Sequence, residues 1–161
     1  MARRSAGLLM FRRRSAGRDG LEVLLIHPGG PFWNNKDLGA WSIPKGEYDD
    51  SEEPLAAAQR EFGEETGWAA TPPFLPLGSV KQRGGKVVTA WAFEGDGDPA
   101  TLVSNTFEMQ WPPRSGRMQT FPEVDRASWF APGEARRRII ESQVAFVDEL
   151  ERLLAGLSPK T

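Results

Sequence analysis

The stretch from Gly46 to Trp68 constrains the fold of this chain more than any other part of its 161 residues. Its sequence, GEYDDSEEPLAAAQREFGEETGW, is an acidic loop followed by residues that favour a helix over 54–66. The apolar positions of that helix have the spacing of one stripe: Leu55, Ala58 and Phe62. Gly67 stands where a glycine cap ends many helices. The segment therefore predicts an acidic loop and an amphipathic helix that ends at Gly67.

Three glutamates share one face of this predicted helix. Glu61, Glu64 and Glu65 stand at positions i, i+3 and i+4, a spacing that brings their side chains together. Without a counter-charge, these neighbouring anions repel each other and destabilise the helix. A hard divalent cation such as Mg²⁺ takes oxygen ligands and binds between carboxylates and substrate phosphates. The face is thus a candidate metal site; the alternative is a solvated face made of good helix formers.

The charge and cysteine content exclude several classes of site. The chain has no cysteine, so disulfides, thiolate metal sites and cysteine nucleophiles are excluded. Its single histidine, His27, excludes a two-histidine metal site. The first 18 residues carry six arginines and no acid, whereas acids cluster in residues 46–65. The net charge is −2, while nucleic-acid binders are usually basic, so we expect a small anionic substrate and no nucleic-acid partner.

The fixed positions of the acidic stretch form the pattern G-x5-E-x7-R-E-U-x-E-E-x-G-U, in which U is a bulky apolar residue. This pattern resembles the Nudix box and matches it without a gap, although Phe62 and Trp68 are larger than the usual aliphatic residues. The resemblance implies an α+β fold, a Nudix-type α/β/α sandwich with a mixed sheet and a loop–helix–loop box at 46–68. It also implies that Glu61, Glu64 and Glu65 are catalytic and bind Mg²⁺ or Mn²⁺. Support of the box is expected from its other fixed positions: Gly46, Glu52, Arg60 and Gly67.

Apolar runs elsewhere predict a mixed sheet with helices on its faces. Strands are predicted at 5–11, 21–27, 41–43, 77–81, 86–93 and 106–111. Two helices are predicted at 133–138 and 142–155, the second with Ser142 as its N-cap. No linker divides the chain, so we expect one domain over residues 1–161.

Residues outside the box offer candidates for the remaining roles. The general base, or an extra metal ligand, is expected at Glu123, with Glu108 as a second candidate; the alternative for each is an ordinary surface carboxylate. For His27 we expect a structural role rather than a substrate contact. Substrate contacts are expected from three residues in or beside loops: Lys45, Arg12 and Trp33. The alternative for these three is a solvated loop or turn, or packing against the sheet.

The resemblance implies metal-dependent hydrolysis of a phosphoanhydride bond in a nucleoside diphosphate linked to another group. Water attacks one phosphorus, and a carboxylate removes its proton. The entry at 41–46 and the segment 123–130 resemble the MutT-like and diadenosine polyphosphate hydrolase-like branch, which implies a nucleoside or dinucleoside polyphosphate. The alternatives are a damaged (d)NTP pyrophosphatase, an RNA 5′-pyrophosphohydrolase and a nucleotide-sensing Nudix-fold module without catalysis.

No stretch approaches the roughly 20 apolar residues that a membrane span needs. The apolar run at 7–11 is too short for a signal peptide and is followed at once by arginines. We therefore expect a cytoplasmic protein without a membrane partner. Both a monomer and a homodimer are compatible with the sequence.

Overall fold

The computed structural model describes residues 3–14 and 20–157, except for the side chain of residue 157. Residues 15–19, which include one of the arginines of the basic N-terminal segment, lie outside this part. Six strands form the main sheet: β1 (Arg4–Arg13), β2 (Leu21–Pro28), β3 (Lys45–Glu47), β4 (Leu75–Lys81), β5 (Val87–Glu94) and β8 (Val124–Phe130). The sheet has the order β4-β5-β1-β2-β8, with β3 paired to β1. The β1–β5 pair is parallel and the other pairs are antiparallel, so the sheet is mixed.

Helices cover both faces of the sheet, as the period-two alternation of β1 requires. Leu8 and Met10 belong to the apolar cluster of α1 (Pro54–Thr66), and the alternate residues Leu9 and Phe11 belong to the opposite cluster. That opposite cluster is closed by α2 (Pro132–Arg138) and α3 (Val144–Leu157). The predicted α+β sandwich is therefore confirmed. No helix in the described ranges is long and apolar enough to span a membrane.

A two-stranded hairpin lies apart from the main sheet. It consists of β6 (Thr106–Gln110) and β7 (Met118–Pro122), with Phe107 opposite Phe121. The hairpin packs on the loop that follows β2: the ring of Phe32 meets Trp111 edge-on, with centroids 5.3 Å apart. At the start of that loop the backbone N–H of Gly29 donates to the Glu123 carbonyl at 2.9 Å. The loop after β2 is thereby held against both the hairpin and the start of β8.

Several local predictions are confirmed and others are wrong. Helix 54–66 has the predicted bounds, and Gly67 caps it with a left-handed φ of 80°. The predicted strand at 41–43 forms only isolated bridges, from Trp41 to Ile139 and from Ser42 to Ile26. Ser142 is not the N-cap of α3, since the helix begins at Val144 after a 3₁₀ turn. Strands β7 and β8 were not predicted, because neither has a clear alternation of buried and exposed residues.

Replacement of Gly29 by alanine tests the close contact between the loop after β2 and the end of β7. A Cβ at position 29 would lie 1.9 Å from the carbonyl oxygen of Pro122, so the backbone must shift. We expect Gly29→Ala to lower the free energy of unfolding by about 1–3 kcal/mol in urea titrations. The control is Gly133→Ala in α2, where a Cβ meets nothing within 4 Å, and we expect a gain of about 0.4–1 kcal/mol. Equal stabilities of the two variants would contradict this account of the contact.

Candidate functional site

The box helix reaches the sheet at the short strand β3. β3 pairs with the N-terminal half of β1, with Gly46 opposite Ala6. The carboxylate of Glu61 occupies the space beside Gly46, where a Cβ would lie 2.0 Å from Glu61 Cδ. Only glycine leaves room for this carboxylate at the strand end, so Gly46 and Glu61 fit together as one unit.

Glu65, one turn after Glu61, is buried on the same side of the helix. It is only 8% exposed, and its Oε1 accepts a hydrogen bond from the backbone N–H of Lys45 at 3.4 Å. Burial, together with repulsion from Glu61 and Glu123, raises the pKa of Glu65 to about 8. Burial likewise raises the pKa of Glu61, against the opposing effect of Arg60. Burial and mutual repulsion therefore make ionisation of these carboxylates unfavourable unless a cation lies near them.

Arg60 ties the acidic loop to the helix. Its Nε and Nη2 donate to the two carboxylate oxygens of Glu52 at 2.8 and 2.9 Å. Its Nη1 also donates to Glu61 at 2.9 Å and to Glu64 at 3.0 Å. The planar guanidinium suits such paired contacts to carboxylates. Arg60 therefore holds the loop in place and forms ion pairs with two carboxylates of the helix, Glu61 and Glu64.

The donor set of this face fits a hard divalent cation by its chemistry. Glu61 and Glu65 are carboxylate oxygen donors that repel each other, and the space beside Gly46 admits one of them to the strand end. As the side chains stand, no three acidic or histidine residues of the described ranges are grouped closely enough to hold a metal ion. The Glu64 carboxylate is paired with Arg60 at 3.0 Å, and its side chain is 40% exposed.

Glu123 comes to the same place from a distant part of the chain. It follows β7 directly, and its charge raises the pKa values of both Glu61 and Glu65. Glu108, the second candidate for the base, lies in β6 opposite Thr120 on the exposed side of the hairpin. Asp125 is engaged elsewhere, 2.9 Å from Nδ1 of His27. Of the carboxylates outside the box that sequence considerations raised, Glu123 is the one that the fold brings to the box.

A cavity of about 210 Å³ opens beside these carboxylates. Its polar lining includes Lys45, Glu65 and Glu123, and Trp33 lies on its wall. Burial lowers the pKa of Lys45, and repulsion from Lys86 adds to this effect. Apolar side chains supply much of the remaining lining: Ile26, Ala40, Ile43, Val124 and Ile140. The cavity joins charged groups at one side to an apolar surface at the other, an arrangement suited to a ligand with a phosphate and a ring.

Arg12 lies elsewhere, against expectation. Its guanidinium contacts Glu22 at 2.8 Å and Asp96 at 2.6 Å, and stacks over the ring of Trp129 at 4.1 Å. β1 meets β3 at residues 5–7, so Arg12 is five residues, or about 17 Å, further along an extended strand. We attribute a structural role to Arg12 because its charge is already paired at the far end of β1.

His27 is fully buried, in keeping with the structural role expected for it. Its Nε2 lies 2.5 Å from the carbonyl oxygen of Lys36, and its Nδ1 lies against Asp125. The imidazole therefore joins the loop after β2 to β8, rather than facing a ligand. This contact helps to set the position of the loop that carries Trp33.

Two parts of the site could not be found from the sequence. The apolar lining of the cavity comes from four separate segments, and only Ile26 and Ile43 of that lining lie in predicted strands. The segment Val103–Asn105, which joins the box helix to Glu123 by hydrogen bonds, carries no motif. Neither has a local periodicity or a residue type that would have marked it.

Comparisons with known proteins agree with this architecture. The family model described as NUDIX domain matches residues 1–150. An RNA pyrophosphohydrolase of Bartonella henselae is 39% identical over 66 residues, which is 40% of this chain and 35% of that relative. The chain therefore matches only about a third of that relative's length.

Solved structures extend the likeness to nearly the whole fold. An Ap4A hydrolase of C. elegans in a binary complex has a TM-score of 0.62 at 22% identity, over 96% of this chain and 99% of that one. The NUDIX domain of Shewanella oneidensis NrtR in complex with ADP ribose has a TM-score of 0.63 at 16% identity, over 96% and 89% of the two chains. At these identities the likeness establishes the fold.

The buried carboxylate of Glu65 predicts a pH dependence of stability. Because its folded-state pKa, about 8, lies above the ordinary value of 4.5, the folded protein holds a proton that the unfolded chain releases. Without metal, the free energy of unfolding should fall as the pH rises between these values, by up to about 1.4 kcal/mol per pH unit. Urea titrations in EDTA measure the slope. Glu65→Gln should flatten it, whereas Glu53→Gln, at an exposed position before α1, should not; an unchanged slope in Glu65→Gln would refute the assignment.

Proposed function

This chain belongs to the NUDIX domain family, and from that membership we propose that it is a metal-dependent pyrophosphohydrolase. Its substrate is a nucleoside diphosphate linked to another group, and the bond broken is a phosphoanhydride. The hydrolase relatives named above support this class of reaction. The Mg²⁺ or Mn²⁺ ion is part of the proposal.

The observation that carries the proposal is that Glu65 of the box helix and Glu123 of a distant segment line the same cavity. Glu123 comes from the junction of β7 and β8, and its charge raises the pKa values of both Glu61 and Glu65. Burying the Glu65 carboxylate beside other negative charges is costly unless a cation or a proton compensates it. A hydrolase that binds a cation and a polyphosphate has a use for this arrangement, whereas a purely structural helix face does not.

Each side chain has a distinct role in the proposed reaction. Glu61, Glu64 and Glu65 would hold the cation, which when bound supplies charge neutralisation at the phosphate oxygens and orients the water. Glu123 takes the proton of that water as the water oxygen bonds to phosphorus. The bond between this phosphorus and the bridging oxygen then breaks, and the leaving phosphate keeps its electron pair. Lys45, on the cavity wall, offsets the negative charge that develops there.

The cavity accommodates the remaining part of the nucleotide. Its apolar lining suits the face of a base, and Trp33 offers an aromatic plane at 40% exposure. A nucleoside or dinucleoside polyphosphate is the substrate class we propose, in agreement with the Ap4A hydrolase among the structural neighbours.

A second candidate substrate is the 5′-polyphosphate end of an RNA. The Bartonella relative, named as an RNA pyrophosphohydrolase, favours it. The net charge of −2 favours the smaller nucleotides, because an RNA chain requires cations along its path. A non-catalytic nucleotide-binding module is disfavoured, since every glutamate of the box pattern is present.

The first test is a product-resolved hydrolysis assay with Mg²⁺ and with Mn²⁺. Substrates are nucleoside triphosphates, oxidised dGTP, diadenosine polyphosphates, ADP-ribose and 5′-triphosphate RNA. We expect Glu65→Gln and Glu123→Gln to lower kcat by roughly 10²-fold or more, since a ligand and the base are lost. Glu108→Gln, on the exposed side of the hairpin, is the control and should keep wild-type activity.

The outcomes of this assay separate the parts of the proposal. Cleavage without added metal, unaffected by EDTA, would refute the metal role. Full activity in Glu123→Gln would show that another group is the general base. A loss of kcat in Glu108→Gln equal to that in Glu123→Gln would likewise contradict the assignment of Glu123. A wild-type protein that binds nucleotides but cleaves none would favour the non-catalytic module.

A substitution of Trp33 tests the cavity as the nucleoside site. Because Trp33 contacts the part of the substrate remote from the reacting phosphorus, Trp33→Ala should raise KM about 5- to 20-fold and change kcat less. Phe32→Ala is the neighbouring control: Phe32 is 60% exposed, packs on Trp111, and is absent from the cavity lining. Equal effects of the two variants on KM would mean that the nucleobase of the substrate binds outside this cavity.

A further inference from the structure

The short segment Val103–Asn105, called the strap here, is bonded to the end of the box helix. The backbone N–H of Val103 donates to the Thr66 carbonyl at 2.9 Å, and that of Asn105 donates to the Glu64 carbonyl at 2.9 Å. The last carbonyls of a helix have no partner within the helix, so an external donor is needed when they are buried. The strap meets that need and is thereby fixed relative to the helix that carries the box glutamates.

The opposite side of the strap is bonded to Glu123 and its neighbour. The backbone N–H of Glu123 donates to the Asn105 carbonyl at 2.8 Å. The backbone N–H of Val124 donates to Oγ of Ser104 at 3.0 Å, and this hydroxyl donates in turn to the Asn105 carbonyl at 2.7 Å. The Ser104 side chain therefore adds a side-chain link to the main-chain connection between the box helix and Glu123.

These bonds fix the direction in which Glu123 projects. The two peptide groups that flank its Cα are both held, one through the N–H of Glu123 and the other through the N–H of Val124. A third bond, from Gly29 N–H to the Glu123 carbonyl, holds the second peptide group from the loop side. With both flanking peptide planes fixed, the Cα–Cβ bond of Glu123 has one orientation, and its carboxylate acts on Glu61 and Glu65.

We propose that Ser104 is a positioning residue that holds the backbone of Glu123 so that its side chain projects towards the box helix for proton transfer. This inference rests on the proposed hydrolase function and on Glu123 as its general base. Val124 is 3% exposed, and without the hydroxyl its N–H loses its hydrogen-bond acceptor, so the backbone must shift to find another. A shift of about 1 Å at a reacting group lowers rates by roughly 10²-fold.

Ser104→Ala removes the hydroxyl but keeps every main-chain donor and acceptor of the strap. We expect kcat to fall roughly 10- to 100-fold while KM changes less than about 3-fold, because the cavity lining and Lys45 are untouched. Ser104→Thr keeps a hydroxyl at the same position and should restore most of the loss. The matched control is Ser115→Ala at the hairpin tip, where the lost hydroxyl also accepts a backbone N–H, that of Arg117 at 3.2 Å.

A double-mutant cycle separates positioning from general destabilisation. In a Glu123→Gln background there is no base to misplace, so adding Ser104→Ala should lower kcat by less than about 2-fold. An equal loss in both backgrounds, no loss in Ser104→Ala, or failure of threonine to restore activity would each overturn the proposal.

Amide hydrogen exchange tests the geometry without relying on activity. Ser104→Ala should lose protection at the N–H groups of Glu123 and Val124 while the amides of α1 keep theirs. Unchanged protection at both positions would overturn the positioning role. If the wild-type protein cleaves no substrate, the hydrolase function fails by itself, and the exchange result still decides whether Ser104 holds Glu123.

Discussion

Burial of like-charged carboxylates at the junction of helix α1 and strand β3 is the constraint on which the rest of the site depends. Glu65 is 8% exposed, and this burial, together with repulsion from Glu61 and Glu123, raises its pKa to about 8. Such burial requires the helix to approach the sheet closely. Ala57 and Ala58 are fully buried on the sheet-facing side of α1, and Gly46 leaves the space that the Glu61 carboxylate fills. Small residues at the contact thus permit charged residues at its edge.

This arrangement is destabilising in itself, and the surrounding structure compensates for it. Burial of apolar side chains in two layers, one on each face of the sheet, offsets the destabilisation by the site. Arg60 neutralises part of the charge through its contacts with Glu52, Glu61 and Glu64. The strap holds the end of the helix, so repulsion among the carboxylates cannot be relieved by fraying of its last turn. Perturbed pKa values of this kind are common at functional sites, where a bound ligand or cation compensates the unfavourable free energy of the buried charges.

The sequence predicted what is local and periodic. Helix 54–66 was found with its bounds and its glycine cap, because the apolar stripe and the cap both lie within one stretch. Strand β7 and the strap were not predicted, since these short segments have no hydrophobic period to detect. The role of Arg12 depends on Asp96, its partner 84 residues away, and such a pair is invisible without the fold. Ser142 met the rule for an N-cap, but a 3₁₀ turn occupies its place.

Residues close together in the sequence supply the chemical groups of the site, whereas residues brought in by long-range tertiary contacts shape the cavity beside them. The box supplies the helix carboxylates and the arginine that supports them from one continuous segment, so its pattern alone predicts the reaction class. Glu123, Trp33 and the apolar lining reach the site only through tertiary contacts. A chain of main-chain hydrogen bonds runs from Glu64 through Asn105 and Glu123 to Gly29, at the start of the loop that carries Trp33. Because this chain of hydrogen bonds uses backbone groups, side chains along the cavity can change while the backbone of Glu123 stays fixed relative to the box helix.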